Sequence, residues 1–228
     1  MKARVRTAKG RPLGSTRWLE RQLNDPFVQQ AKREGFRARS VYKLQEIDKQ
    51  FQLMKRGTRV VDLGAAPGSW SQYAAQRHCR VVAVDLLPVE PIAGVAIVEG
   101  DFLDPAIQDR LVALAGGPVD LVLSDMAASS TGTRAVDRLR AEAIGEAVVE
   151  FASRLLVPEG ACLMKLVRGA ESAIQACARP HFRDLRLLRP AATRSDSSEV
   201  FILARGFKAP PVPDTSAPDP DPDPVEGA

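Results

Sequence analysis

The segment that most constrains this chain is RVVDLGAAPGSWSQYAAQ, residues 59–76. A short β-branched run ends in Asp62, the chain turns through GAAPG, and a helical pattern starts at Ser69. Strand–glycine–helix corners of this kind form the nucleotide cleft of a doubly wound sheet. The runs RVVAVDLL (80–87), VAIVEGD (95–101), VDLVLSDM (119–126), ACLMKLV (161–167), FRDLRLLR (182–189) and EVFILAR (199–205) read as further strands. Helical patterns fall between them at 69–78, 105–115, 135–156 and 171–179, the third stopped by Pro158 and Gly160. Ahead of the corner, helices are expected from Ser15, between the Asn24-Asp25-Pro26 break and Gly35, and over 40–50. In the last of these Val41, Leu44 and Ile47 share a face, with Tyr42 and Lys43 beside it. The alternation predicts an α/β fold: a mostly parallel seven-stranded sheet with helices on both faces.

Three of these strands end in acids. Asp85 closes the second strand, 21 residues after Gly64, where a carboxylate can accept hydrogen bonds from both hydroxyls of a ribose. Gly100-Asp101-Phe102 closes the third and sets an acid beside an aromatic ring, suited to the edge and face of an adenine. A nicotinamide dinucleotide needs a bed for its pyrophosphate, but Pro67 removes a backbone donor inside the turn. Adenosylmethionine has no phosphate, and Asp62, Asp85 and Asp101 suit its ribose and amino groups better. The plainer alternative is a glycine turn that binds nothing.

A second constellation lies further on. Ser124-Asp125-Met126 follows the fourth strand, Lys165 sits inside the fifth and Glu199 opens the last. A lysine in an apolar strand is paired, neutral or facing a cleft, unless it snorkels from an edge. The C-terminal ends of central parallel strands face the ligand crevice, which places Asp125 and Lys165 beside a bound cofactor.

The net charge of +4 is unevenly spread. Residues 1–39 hold 11 Lys and Arg against Glu20, Asp25 and Glu34, whereas residues 209–228 hold seven prolines, five acids and no basic residue. The tail is expected to be a disordered appendage, and residues 1–14 a loose basic arm. Arg17, Arg21, Lys32, Arg33, Arg37 and Arg39, interleaved with Trp18, Phe27, Phe36 and Tyr42, fit RNA phosphates and stacked bases, with packing as the alternative for Trp18 and Phe27. The three cysteines, odd in number and far apart, read as free thiols of a reducing cytoplasm, and no metal site can be built from them. No apolar run reaches membrane-spanning length, and the basic N-terminus lacks the apolar stretch of a secretory signal.

The chain resembles the FtsJ/RrmJ (RlmE-type) family of ribosomal RNA 2′-O-methyltransferases. The resemblance runs from about Ser15 to Phe207, over RWLERQLNDPFVQQAKREGFRARSVYKLQEID (17–48), VVDLGAAPGSWSQYA (60–74), AVDLLPVEPIAGV (83–95), EGDF (99–102), LSDMA (123–127), MKLVRG (164–169) and RPAATRSDSSEVFILARGFK (189–208). It implies a Rossmann-like class I methyltransferase domain over 15–208, whose residues 15–50 form an RNA-binding extension. It further implies a Lys-Asp-Lys-Glu tetrad at Lys43, Asp125, Lys165 and Glu199, and S-adenosylmethionine contacts from Gly68, Trp70, Asp85, Asp101 and Asp125. The implied substrate is a uridine ribose in the A loop of 23S rRNA, within the large ribosomal subunit, for a cytoplasmic enzyme expected to be a monomer without metal.

The chain departs from the family in PGSW for the usual PGGW, in MAASSTG after Asp125, and in Arg189 for a lysine. Contacts from Ala128 and Ser129 are therefore not carried over. Three alternatives stay open: the same chemistry on tRNA or an mRNA cap, an NAD(P)-dependent oxidoreductase, and a non-catalytic RNA-binding protein. Against the oxidoreductase, neither Tyr42 nor Tyr73 has a lysine four residues on.

Overall fold

The computed structural model describes residues 19–20, 22–128, 131–194 and 197–209. The expected arm (1–14) and nearly all of the expected tail lie outside the described residues, as do Arg17, Trp18 and Arg21.

Asp25 opens the first complete helix, α1 (Pro26–Glu34). Its side chain accepts from the amides of Phe27 and Val28, Pro26 supplies the preset φ of a first turn, and Gly35 in the left-handed region ends the helix. The next helix, α2 (Val41–Phe51), leads into β1 (Arg59–Leu63) and α3 (Ser69–Gln76). Then follow β2 (Arg80–Asp85), β3 (Val95–Glu99), α4 (Pro105–Ala115), β4 (Val119–Ser124) and α5 (Arg134–Leu155). The chain closes with β5 (Leu156–Val167), α6 (Glu171–Ala178), β6 (Phe182–Leu188) and β7 (Glu199–Phe207).

The seven strands form one sheet in the order β3-β2-β1-β4-β5-β7-β6. Neighbours from β3 to β5 are parallel, and β7 lies antiparallel between β5 and β6. Strand β5 is longer than the sequence pattern indicates. It pairs Val119 with Leu156, shifts register, and resumes at Leu121 with Ala161, so Pro158 and Gly160 fall in an irregularity of the strand. Lys165 is therefore on an interior strand, which removes the edge-snorkelling alternative.

Both faces of the sheet are buried. On one, Val61, Leu63, Val82, Val122 and Met164 meet Leu111 of α4, Phe151 of α5 and Ile174 of α6. On the other, Val60, Leu121, Leu163 and Phe201 meet Leu44 and Ile47 of α2 and Trp70 of α3. Strands buried on both sides need near-continuous apolar runs, which is why β1, β2 and β4 lack polar alternation. Strand order reverses between β1 and β4, and the crevice outside their C-terminal ends is where such sheets bind ligands.

Candidate active site

Two cavities open at this edge. The first, about 360 Å³, is walled by the loops after β1 to β4, including Gly64, Asp85, Asp101, Phe102, Asp125 and Met126. Gly64 is required here: its φ is 75°, and a Cβ would stand 2.9 Å from the Met126 nitrogen. The β1 and β4 loops can approach this closely only without a side chain between them. The Asp85 carboxylate is held by two backbone donors, Ala66 N at 2.8 Å and Leu87 N at 2.8 Å. Each oxygen keeps a second lone-pair site for a diol. Asp101 accepts from Leu103 N at 2.9 Å and is otherwise exposed on the cavity wall.

Several expected contacts lie elsewhere. Phe102 is buried and packs edge-on against Phe151, with centroids 5.3 Å apart, so its ring belongs largely to the core. The apolar cover at the cavity mouth comes from Leu86, Leu87 and Leu103, all more than half exposed. Sequence reading missed these leucines, although LeuLeu just after an acid-ended strand was the available signal. Trp70 is also core: its ring lies 6.0 Å from Phe201, and its Nε1 donates to Ser40 O at 3.0 Å. Neither Trp70 nor Gly68 lines this cavity. Asp62 is wholly buried, accepting from Ser71 Oγ at 2.6 Å with Oδ1 unpartnered. Burial, with the charges of Asp125 and Asp85, raises its pKa to about 7 against the opposing Ser71 bonds.

The second cavity, about 330 Å³, is lined by Arg39, Ser40, Lys43, Arg194, Ser197 and Glu199. Between the two cavities stand both lysine–acid pairs. Lys43 Nζ donates to Glu199 Oε2 at 2.6 Å. Lys165 Nζ lies 2.8 Å from Asp125 Oδ1 and aims its hydrogen bond at the Asp125 carbonyl. In the β5–β7 register Lys165 pairs with Phe201 and Val167 with Glu199, so Lys165 and Glu199 are diagonal neighbours on one face. Lys43 descends onto that face from α2, with Nζ 5.6 Å from the Phe201 ring centroid. Burial works to raise the Glu199 pKa, but the Lys43 hydrogen bond and the charges of Lys43 and Lys165 outweigh it and hold Glu199 below the usual carboxylate range. Four residues far apart in sequence thus converge.

The N-terminal extension corrects the sequence reading in three places. Tyr42 and Lys43 are buried, not beside the buried face, because α1 and the 189–194 segment cover α2. Tyr42 is buried between Phe27 and Phe36 and donates to Glu34, so it offers no free stacking face. The Arg37 guanidinium is spent on three carbonyls, Pro67 at 3.1 Å, Glu90 at 2.7 Å and Pro91 at 2.9 Å. Arg39 pairs with Asp25, donates to the Ala192 carbonyl and lies over Phe27. Basic character identified these residues without showing that the protein's own carbonyls and carboxylate would claim them. Lys32 and Arg33, in the last turn of α1, are exposed. Ser69 bonds its hydroxyl to Ser40 Oγ at 2.9 Å and so joins α3 to α2.

A sheet of this order, with a nucleoside-sized crevice at its switch point, defines a Rossmann-like methyltransferase fold. The chain belongs to the FtsJ-like methyltransferase family, whose model matches residues 36–207. A protein of Xanthobacter autotrophicus, ribosomal RNA large subunit methyltransferase E, is 48% identical over 215 residues, covering 91% of this chain and 85% of the relative. Its namesake in Sphingopyxis alaskensis is 48% identical over 208 residues, covering 90% of each chain. Among solved structures, a ribosomal RNA methyltransferase from Plasmodium falciparum aligns with a TM-score of 0.68 at 21% identity, over 75% of this chain and 98% of that one, a likeness of fold.

Proposed function

We propose that this protein transfers a methyl group from S-adenosylmethionine to the ribose 2′-hydroxyl of a uridine in the A loop of 23S rRNA, within the assembled large ribosomal subunit. The observation that carries the reading is the pair of lysine–acid contacts between the two cavities: Asp125 lines the first, and Lys43 and Glu199 line the second. Relatives named for ribosomal RNA of the large subunit support the choice of acceptor.

The first cavity fits the methyl donor. Asp85 and Asp101 would take its ribose and adenine edges, Leu86 and Leu103 its adenine face, and Asp125 its amino-acid end. A bound sulfonium donor supplies an already activated methyl carbon. What is left to the chain is to align the acceptor oxygen and to take a proton from a poor acid.

Lys165, in its neutral form after losing its own proton, is the proposed base. It stands on an interior strand that fixes its backbone, and Asp125 fixes its amine by both carboxylate and carbonyl. Lys43 and Glu199 orient the ribose hydroxyl as a matched donor and acceptor. Burial pulls the Glu199 pKa up, but the Lys43 hydrogen bond and charge bring it down, so Glu199 stays an ionised acceptor. Lys32 and Arg33 are the remaining described candidates for RNA phosphate contacts, with Arg17 and Arg21 outside the described residues.

The test is an acceptor panel. With tritiated adenosylmethionine and large subunits, free rRNA or tRNA, label is expected in the rRNA of large subunits. Label confined to tRNA would transfer the reading to the tRNA alternative, and label in no acceptor would end the enzymatic reading.

A further inference from the structure

The second cavity contains more positive charge than the Lys43–Glu199 pair accounts for. We infer that it seats the phosphodiester on the 3′ side of the target nucleotide, with Arg194 as its principal donor. This inference rests on the 2′-hydroxyl reading above.

The charge arises at Asp25. This nearly buried carboxylate caps α1 and also receives two guanidiniums, Arg39 from the start of α2 and Arg194 through Nε at 3.0 Å and Nη2 at 2.9 Å. One negative charge between two positive ones leaves the corner with an excess cation. The two arginines are not equivalent. Arg39 spends its second Nη on the Ala192 carbonyl and stacks on Phe27. Arg194 uses only its Nε and Nη2 among the described residues, and its side chain is 27% exposed. Both line the cavity that holds Lys43 and Glu199.

The chemistry of the substrate makes such a cation necessary. In an internal nucleotide the 2′-hydroxyl and the 3′-phosphodiester sit on neighbouring ring carbons. A ribose that offers its 2′-oxygen to Lys43 and Glu199 must bring that phosphate into the same cavity. Glu199, ionised, would repel it. A guanidinium whose fork is already fixed offsets that repulsion and matches two phosphate oxygens at once. Asp25 is then a positioning residue: it holds the Arg194 fork in place and ties α1 and α2 to the segment that leads into Glu199.

The inference is tested by RNA binding and turnover on the full chain. Arg194→Ala should raise KM for the RNA acceptor about 10-fold, the scale of a hydrogen bond to a charged group. Donor affinity should not change, and kcat should fall far less than KM rises. Arg194→Lys should recover part of the loss. An A-loop hairpin with one neutral methylphosphonate 3′ to the target uridine should bind the wild type about as weakly as Arg194→Ala binds the natural hairpin, and Arg194→Ala should lose nothing further on it. Asp25→Asn, checked for an intact melting transition, should raise KM in the same direction but by less. Unchanged KM in Arg194→Ala, or full additivity of variant and methylphosphonate, would overturn the subsite while leaving the 2′-hydroxyl reading intact. A wild type that methylates no RNA would instead remove that reading, and the subsite with it.

Discussion

The two cavities are built on opposite plans. The proposed donor side is made mostly of backbone and loop ends: Gly64 pressed against Met126, Asp85 held by two amides, Asp101 by one, all following consecutive strands. The proposed acceptor side is made of charged side chains from segments more than 140 residues apart, as Lys43 with Glu199 shows. The first can be preformed by topology alone. The second exists only once α1, α2 and the segment before β7 are docked on the sheet. Changes on the donor side should therefore weaken methyl-donor binding and spare RNA, and changes on the acceptor side should do the reverse.

The largest effect that would sharpen this contrast is at the boundary. Lys165→Ala should reduce the single-turnover transfer rate by a factor of about 10² to 10⁴, the usual worth of a positioned general base, while donor affinity measured by calorimetry stays near wild type. Normal turnover would remove Lys165 as the base. Next, Asp85→Ala should weaken donor binding about 10-fold or more without altering KM for RNA, since two buried-edge hydrogen bonds to a charged acceptor are lost. An equal rise in both constants would break the division between the sides.

Arg37 makes a subtler test. Arg37→Lys keeps the charge but cannot reach the carbonyls of Pro67, Glu90 and Pro91 together, so it should lower unfolding stability by about 1–2 kcal/mol and loosen the donor. The salt dependence of RNA binding should not change. A shallower salt slope would return Arg37 to the RNA side. Lys32 and Arg33, by contrast, should together reduce that slope by roughly two when both become alanine.

The effect furthest from this comparison concerns Asp62. Its pKa, raised to about 7 in the fold, lies above the ordinary carboxylate value, so the folded state binds the proton more tightly than the unfolded chain. Stability contributed by the neutral form is complete below the unfolded pKa and is lost as pH rises towards 7. Asp62→Asn should remove that decline: urea midpoints of variant and wild type should converge near pH 4 and separate in the variant's favour near pH 8. Parallel midpoints across that range would contradict a raised Asp62.

How far these features were readable from sequence follows the same division. The strands, the GAAPG corner and the acids at Asp85 and Asp101 were legible because they are local: a β-branched run, a turn and an acid lie within a few residues. Strand β5 was read short because Pro158 and Gly160 normally end elements, and here a register shift absorbs them. Lys43 fell outside the buried face because helical periodicity describes one packing partner, and α2 has two. The arginines were the hardest case. Charge identifies a residue that wants a partner, and nothing in FRARS distinguishes a phosphate from the Pro67 carbonyl or the Asp25 carboxylate. Asp125, Lys165 and Glu199 stand out by their strand positions, but Lys43 as their fourth member and the pairing with an RNA acceptor came only from resemblance to a family.

The central claim is transfer to a ribose oxygen, and alkali tests it directly. Alkaline cleavage of RNA proceeds through attack by the 2′-hydroxyl, so a methyl group there blocks the bond that follows. After reaction of labelled adenosylmethionine with large subunits and complete alkaline hydrolysis of the rRNA, the label should appear in a resistant dinucleotide whose 5′ member is 2′-O-methyluridine. Label recovered instead in ordinary mononucleotides would place the methyl group on a base and contradict the account.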